Sequence, residues 1–98
     1  MEIVKNVNGS TCNVALEGRL DTTTAPQLEA ELKSSLNGID DLVFDFSKLE
    51  YISSAGLRVL LAAQKVMNAQ GEMKVTNTKP EVLEVFEITG FTDILTII

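Results

Sequence analysis

Apolar residues follow two different spacings along this chain of 98 residues. Near the start, β-branched and apolar side chains fill two short segments, residues 2–7 and 11–17. Asn8-Gly9 stands between them, and this dipeptide strongly favours a two-residue turn. The chain is therefore predicted to open with a β-hairpin.

A helical spacing begins after residue 24. Leu28, Leu32 and Leu36 recur every four residues, which predicts an amphipathic helix over residues 25–36. Thr24 with Pro26 and Gln27 is typical of a helix start, in which the threonine acts as the cap, and Asn37-Gly38 is typical of a helix end. The same reasoning predicts two more helices, over residues 54–69 and from Pro80 to just before Thr89-Gly90.

Three further strands are predicted between and after these helices. Residues 42–46 are almost continuously apolar, as expected of a strand buried on both faces, and residues 73–76 and 94–98 are predicted to form the next two strands. The order ββαβαβαβ predicts an α/β fold, a mixed sheet of four to five strands with right-handed crossovers and helices packed against it. The loops 18–24 and 47–54 should then converge, with Asp21 and Ser54 as neighbours.

Two serines stand at the predicted start of the second long helix. The first N–H groups of a helix have no partner within it, and the aligned peptide dipoles place about half a positive charge there. A phosphate is favourable at such an end. Ser53 is predicted to be the N-cap and Ser54 the presented hydroxyl, so this segment suggests a phosphorylation switch more than a catalyst.

Composition narrows the function classes. The net charge of −6 matches poorly with nucleic acids and anionic membrane surfaces. The single cysteine, Cys12, excludes an internal disulfide, and no apolar run approaches the length of a membrane span. A cytoplasmic protein is therefore expected. The length of 98 residues predicts one domain over residues 1–98.

An enzyme with a nucleophilic serine is the main competing class. The chain has no histidine and no Gly-x-Ser-x-Gly segment, so the usual base for activating a serine is missing. It also has no cluster of metal-ligating residues. We therefore expect a non-enzymatic protein without a metal or a cofactor.

Four segments together resemble the STAS domain of bacterial anti-sigma factor antagonists. The resemblance covers essentially the whole chain and is carried by residues 18–21, 45–47, 51–57 and 85–91. It implies a partner-switching protein: the unphosphorylated form binds an anti-sigma factor that is also a serine kinase, which releases the sigma factor. Phosphorylation by the kinase ends this binding, and a serine phosphatase restores it.

The resemblance also assigns the phosphate acceptor. The family pattern is an aspartate, a serine, a serine or threonine, then glycine and leucine. Aligned on Gly56-Leu57, Ser53 takes the aspartate position, Ser54 the first hydroxyl and Ala55 the second. Ser54 is thus the predicted acceptor, with Ser53 as the alternative.

Six residues are predicted to contact the partner, and each has a plainer structural role. Ser53 and Ser54 could serve only as helix caps, and Asp21 only as a turn or capping residue. Thr22 could supply only a capping hydroxyl, and Arg58 only a solvated side chain. Gly56 inside a helix indicates close approach, either by the partner or by the sheet.

A second functional hypothesis keeps the fold without the switch. STAS-like domains also serve as scaffolding or regulatory modules in sensor assemblies or attached to transporters, where no phosphorylation is needed. The short chain disfavours the transporter setting, and the oligomeric state stays open.

Overall fold

The computed structural model describes all residues, Met1–Ile98, and its chain order is ββαβαβαβ, as predicted. The strands are β1 (Glu2–Asn8), β2 (Thr11–Leu20), β3 (Asp41–Ile52), β4 (Glu72–Thr76) and β5 (Thr96–Ile97). The helices are α1 (Ala25–Ser35), α2 (Ser54–Gln70) and α3 (Pro80–Thr89), and one 3₁₀ turn, Phe91–Asp93, follows α3.

The five strands form one sheet in the order β1-β2-β3-β4-β5, the same as their order in the chain. β1 pairs with β2 antiparallel, and every later neighbour pair is parallel. Because parallel crossovers are right-handed and each one here moves to the next strand in the same direction, α1, α2 and α3 lie on one face of the sheet. The predicted mixed α/β fold is confirmed.

The hydrophobic core lies between that face and the helices. Side chains on alternate strand positions are fully buried there, and the phenylalanine rings continue the layer towards α3: Phe44 is 5.6 Å from Phe46, which is 6.4 Å from Phe86 between ring centroids. The positions between them, such as Val43 and Asp45, are only half-buried. The prediction that residues 42–46 are buried on both faces is therefore wrong, since no helix covers the second face.

Two other boundaries differ from the prediction. The turn of the first hairpin is Gly9-Ser10 and not Asn8-Gly9, because Asn8 still pairs with Thr11 and the left-handed residue, with φ +64°, is Gly9. The last strand is reduced to Thr96–Ile97, because the chain forms the 3₁₀ turn after Gly90 and reaches the sheet late.

The largest difference concerns the predicted loop 47–54. β3 continues through it to Ile52, because its polar stretch is interrupted by Leu49 and Ile52, which are buried in the core. This part of β3 pairs with the end of β2 after two register shifts, near residues 15–17 and 18–19. β2 and β3 therefore end side by side, and their ends position the candidate site.

Candidate functional site

The candidate site lies at the carboxyl ends of β2 and β3, where the chain enters α1 and α2. Leu20 pairs with Ile52, and the Ser53 N–H donates to the Leu20 carbonyl at 2.9 Å. The residues that follow each strand, Asp21 and Ser53-Ser54, thus begin next to each other. The predicted convergence of the two loops is confirmed, although no hydrogen bond joins Asp21 to Ser54.

The two serines have different roles at the start of α2. Ser53 is the N-cap, with an extended backbone (φ −99°, ψ 175°), and its Oγ accepts from the Gly56 N–H at 3.4 Å, a long hydrogen bond. Ser54 is the first helical residue, and its side chain is exposed. The predicted division between a capping Ser53 and a presented Ser54 is confirmed.

The backbone beside Ser54 keeps unused donors. The Leu57 N–H is the first to bond within the helix, to the Ser53 carbonyl at 2.9 Å, while the Ser54 and Ala55 amides donate to no protein acceptor. The exposed hydroxyl therefore stands at the positive end of a 17-residue helix. Such an end accommodates a negatively charged group attached to Ser54.

Gly56 lets α2 approach the sheet at this point. A Cβ at position 56 would lie 2.7 Å from the Leu20 Cγ and 2.9 Å from the Ile52 Cγ1, which is closer than carbon atoms tolerate. Gly56 is also buried. The close approach predicted for Gly56 is thus made by the sheet. Gly56 faces the core, on the side of the helix away from solvent.

Asp21 closes the turn that leads into α1. Its Oδ1 accepts from the Thr23 N–H at 3.0 Å and the Thr24 N–H at 3.1 Å, and the Thr24 hydroxyl lies 3.2 Å away. The pKa of Asp21 is held below its ordinary range, chiefly by the Thr24 N–H, with smaller contributions from Thr23, the Thr24 hydroxyl and Arg19 against the opposing effect of burial. Asp21 is therefore a charged turn residue, with its second carboxylate oxygen turned towards Arg19.

The predicted capping role of Thr24 needs a correction. Thr24 occupies the N-cap position of α1, but its hydroxyl makes no capping bond. It lies instead 2.8 Å from the Arg19 carbonyl, to which it donates, and it accepts from the Asp21 N–H at 2.9 Å. The carbonyl of Asp21 accepts from the Ala25 N–H at 2.8 Å, so Asp21 supplies acceptors that the threonine was expected to provide.

Arg19 and Tyr51 were not singled out from the sequence, yet they form a pair beside the site. They are opposite each other in the β2–β3 register, and the Arg19 guanidinium carbon lies 4.1 Å from the Tyr51 ring centroid. The Arg19 Nε is also 3.8 Å from the Asp21 Oδ2. The sequence alone does not predict this pair, because the register shifts between Ala15 and Arg19 decide which residues of β2 and β3 are opposite each other.

Thr22 and Arg58 lie on the two sides of a shallow groove between the starts of α1 and α2, whose floor includes Ala25 and Ala55. Both side chains are exposed. The groove joins the turn after β2 to the first turns of α2, so these two predicted contact residues share one surface.

No metal-binding cluster is formed around this surface. No group of three or more histidine, cysteine or acidic residues is arranged to hold a metal ion. Cys12 is completely buried in the core, and burial raises the pKa of its thiol against a smaller effect of Lys5. Chemically, the arrangement presents a serine hydroxyl at a helix start without a base to activate it.

Comparison with known proteins agrees with the fold and with the resemblance seen in the sequence. The STAS domain model matches residues 2–98. A candidate anti-sigma factor antagonist of Bordetella bronchiseptica, BtrV, is 48% identical over 81 residues, covering 81% of this chain and 70% of that protein. The anti-sigma-B factor antagonist of Bacillus subtilis is 30% identical over 98 residues, covering 99% of this chain and 88% of that protein.

Solved structures show the same fold. The anti-sigma factor antagonist SpoIIAA in its unphosphorylated form matches with a TM-score of 0.85 and 21% identity, covering 99% of this chain and 88% of that one. An anti-sigma factor antagonist from Mycobacterium paratuberculosis matches with a TM-score of 0.88 and 23% identity, covering 98% and 83%.

This chain belongs to the STAS domain family, among the anti-sigma factor antagonists. These antagonists are regulatory binding proteins and not enzymes, which confirms the predicted class. None of the three helices combines the length and the apolar content that crossing a membrane requires.

Proposed function

We propose that this chain is a cytoplasmic anti-sigma factor antagonist whose partner is an anti-sigma factor with serine kinase activity. The unmodified chain binds this partner and thereby releases the sigma factor. Phosphorylation of Ser54 by the same partner ends the binding, and a serine phosphatase restores it. The names of the Bordetella and Bacillus relatives support the anti-sigma factor as the partner class.

The observation that carries the proposal is that the two serines have different roles at the start of α2. Ser53 is occupied as the cap of α2, while Ser54 is exposed one residue later, beside two amides without protein acceptors. A phosphoryl group brings a charge of about −1.5 to −2 and three acceptor oxygens. At a helix N-terminus this charge is compatible with the fold, so its effect falls on what docks there.

The contact surface proposed for the partner is the groove that contains Thr22 and Arg58, together with Asp21, Ser53 and Ser54, which precede the groove residues Thr22 and Ala55 along the chain. Asp21 contributes a carboxylate that stays ionised at neutral pH, since hydrogen bonds hold its pKa low. Gly56 contributes indirectly, by bringing α2 close to Leu20 and Ile52. The net charge of −6 supports a protein partner over a nucleic acid.

The test is phosphate mapping on the purified chain. The chain is incubated with ATP and each serine kinase of the anti-sigma type encoded near its gene, and mass spectrometry locates the phosphate. We expect one phosphate on Ser54, none in Ser54→Ala, and continued modification of Ser53→Ala. Phosphate on Ser53 contradicts the assignment, and no incorporation with any of these kinases favours the scaffold function.

Ser54→Asp separates docking from folding. We expect Ser54→Asp to keep the circular dichroism spectrum of the wild type, because a negative charge is favourable at the start of α2, and to lose the partner in a pull-down. Ser54→Ala should keep both the spectrum and the binding. Equal binding by the two variants, or loss of structure in Ser54→Asp, counts against the proposal.

A further inference from the structure

The groove that contains Thr22 and Arg58 continues beyond the start of α2. A second groove lies between α1 and α2 farther along the two helices, and Glu29 and Val59 line both grooves. We call this second part the lower groove. The surface proposed for the partner therefore extends along the helix layer without interruption.

The lower groove is lined mainly by apolar side chains. These are Leu32, Leu36, Val59, Ala62, Ala63 and Val66. Its volume is about 370 Å³, within the range of about 300–1,000 Å³ that binding sites for small molecules occupy. Ala62 is exposed and Val66 is 42% exposed, so an occupant would remove apolar surface from water.

The lower groove stays open because α1 and α2 differ in length and meet through small side chains. α1 has 11 residues and α2 has 17, so α2 is longer by about 9 Å. On the α2 side, Ala62 and Ala63 supply only methyl groups to the lining. At the far end, the Gln70 Nε2 donates to the Leu36 carbonyl at 2.8 Å and to the Ile39 carbonyl at 2.7 Å.

These two hydrogen bonds leave an oriented acceptor at the far end of the lower groove. Because both partners are carbonyls, the amide nitrogen of Gln70 must face them. Its Oε1 accepts no hydrogen bond within the protein, and Gln70 is one of the lining residues. A few fixed polar groups in an apolar site set the position of what binds there.

The rim of the lower groove carries no net charge. Its two charged residues, Glu29 and Lys33, lie one turn apart on α1, with the Glu29 Oε1 3.6 Å from the Lys33 Nζ. The rim therefore favours neither a basic nor an acidic occupant, and apolar contact decides what binds.

We infer that the anti-sigma factor lays the apolar face of an amphipathic helix into the lower groove, beside its contact at the start of α2. The inference rests on the proposed function and adds a second contact with a different chemistry. Along α2 the lower groove extends from Val59 to Gln70, about 16 Å or three helical turns. A helix in such a groove contacts it through apolar residues spaced three and four apart.

This second contact lies away from the serines. Ala62 and Val66 follow Ser54 by 8 and 12 residues on the same helix, which places them about 12 and 18 Å from it along the axis. Variants at these two positions therefore change the lower groove while the start of α2 stays intact.

Calorimetric binding of the anti-sigma factor encoded near the gene of this chain tests the lower groove. Ala62→Glu places a charge in the groove, and we expect it to weaken binding about tenfold or more, because the occupant would bury that charge without a partner. Ala30→Glu is the matched control, since Ala30 is exposed on α1 and lines neither groove. It should bind within about twofold of the wild type.

Val66→Ala tests the same contact without adding a charge. We expect binding to weaken about three- to tenfold through the loss of apolar contact. Circular dichroism checks that each variant is folded. Wild-type affinity in both Ala62→Glu and Val66→Ala overturns the inference.

Photo-cross-linking identifies the occupant. p-Benzoylphenylalanine replaces Lys33 on the rim or Gln27, an exposed residue of α1 that lines neither groove. In the purified complex we expect position 33, and not position 27, to cross-link to a helix of the anti-sigma factor with apolar residues spaced three and four apart. A complex that forms without a cross-link at position 33, or with one to a segment lacking this spacing, contradicts the inference.

The remaining outcomes separate this inference from the proposed function. If the free chain sediments as a dimer that Ala62→Glu dissociates, the groove belongs to a second copy and the inference is overturned. Loss of the partner in Ser54→Asp together with wild-type affinity in the two groove variants contradicts the inference alone. A chain that binds no anti-sigma factor contradicts both proposals.

Discussion

The starts of α1 and α2 lie at the same edge of the sheet, but they satisfy their backbone donors in opposite ways. At α1, the carboxylate of Asp21 accepts from the Thr23 and Thr24 N–H groups, so a negative charge already occupies the turn. At α2, the neutral Ser53 makes a single long capping bond, and the Ser54 and Ala55 amides have no protein acceptor.

This difference explains why only one of the two helix starts suits a phosphate. A second anion at α1 would be repelled by Asp21, whereas the start of α2 keeps its positive potential and presents a hydroxyl. The three threonines at residues 22–24 lie as close to a helix as the two serines. They are nevertheless part of a turn that Asp21 already completes.

Gly56→Ala should have the largest effect on this arrangement, because Gly56 lets the start of α2 approach the ends of β2 and β3. The added Cβ would meet Leu20 and Ile52, so α2 must shift or the core must rearrange. We expect a loss of about 1–3 kcal/mol in the free energy of unfolding, measured by urea denaturation. Ala62→Ser, which also adds one atom but at an exposed position of α2, is the control, and equal stability of the two variants would contradict this reading of Gly56.

Asp21→Asn should remove the charge that closes α1 and change the pH dependence of stability. The folded-state pKa of Asp21 is lowered, so its contribution is complete above the ordinary aspartate pKa of about 4 and is lost as the pH falls through the folded-state pKa. We expect the variant to melt at a lower temperature than the wild type at pH 7 and the gap to close towards about pH 2.

Thermal melts at a series of pH values measure this effect. Glu50→Gln, which neutralises an exposed carboxylate without an ion pair, is the control. Asp45 also has a lowered pKa, chiefly because the Ser47 N–H donates to it, so the wild type should lose further stability in acid for a separate reason. A gap between Asp21→Asn and wild type that stays constant down to pH 2 would speak against the assignment.

Ser53→Ala and Ser54→Ala should have the smallest effects on the free energy of unfolding. The order of these two effects directly tests the roles of the two serines. Removing the cap at Ser53 should lower the free energy of unfolding by about 0.5–1 kcal/mol, at the low end for caps because the bond is 3.4 Å long. Ser54→Ala should change it by less than about 0.5 kcal/mol, since the side chain is exposed. Chemical denaturation of both proteins measures the order, and the reverse order would exchange the roles of the two serines.

The helices and the class of fold were predictable because their signals are local. The leucine spacing of α1, the Gly38 stop and the Ser53 cap all appear in the structure where the pattern indicated them. The convergence of the two loops was also predictable, because parallel strands present their carboxyl ends at the same edge of a sheet.

The extension of β3 was not predictable from local pattern. Buried and exposed residues do not alternate regularly in the second half of β3. Only the register shifts against β2 show how Leu49 and Ile52 enter the core. The same shifts place Arg19 opposite Tyr51, so the pair beside the site was hidden for the same reason. Likewise, the open second face of the sheet follows from the crossover directions and not from the apolar run 42–46.

The agreement between strand order and chain order has a consequence for synthesis. Each strand leaving the ribosome finds its neighbour already present at the growing edge of the sheet, so no early strand must wait for a late one. The segment that carries Ser54 is complete once α2 has emerged, before α3 and β5 are made. The nascent chain can therefore assemble the strands that lead to Ser54 first and add the β5 edge of the sheet last.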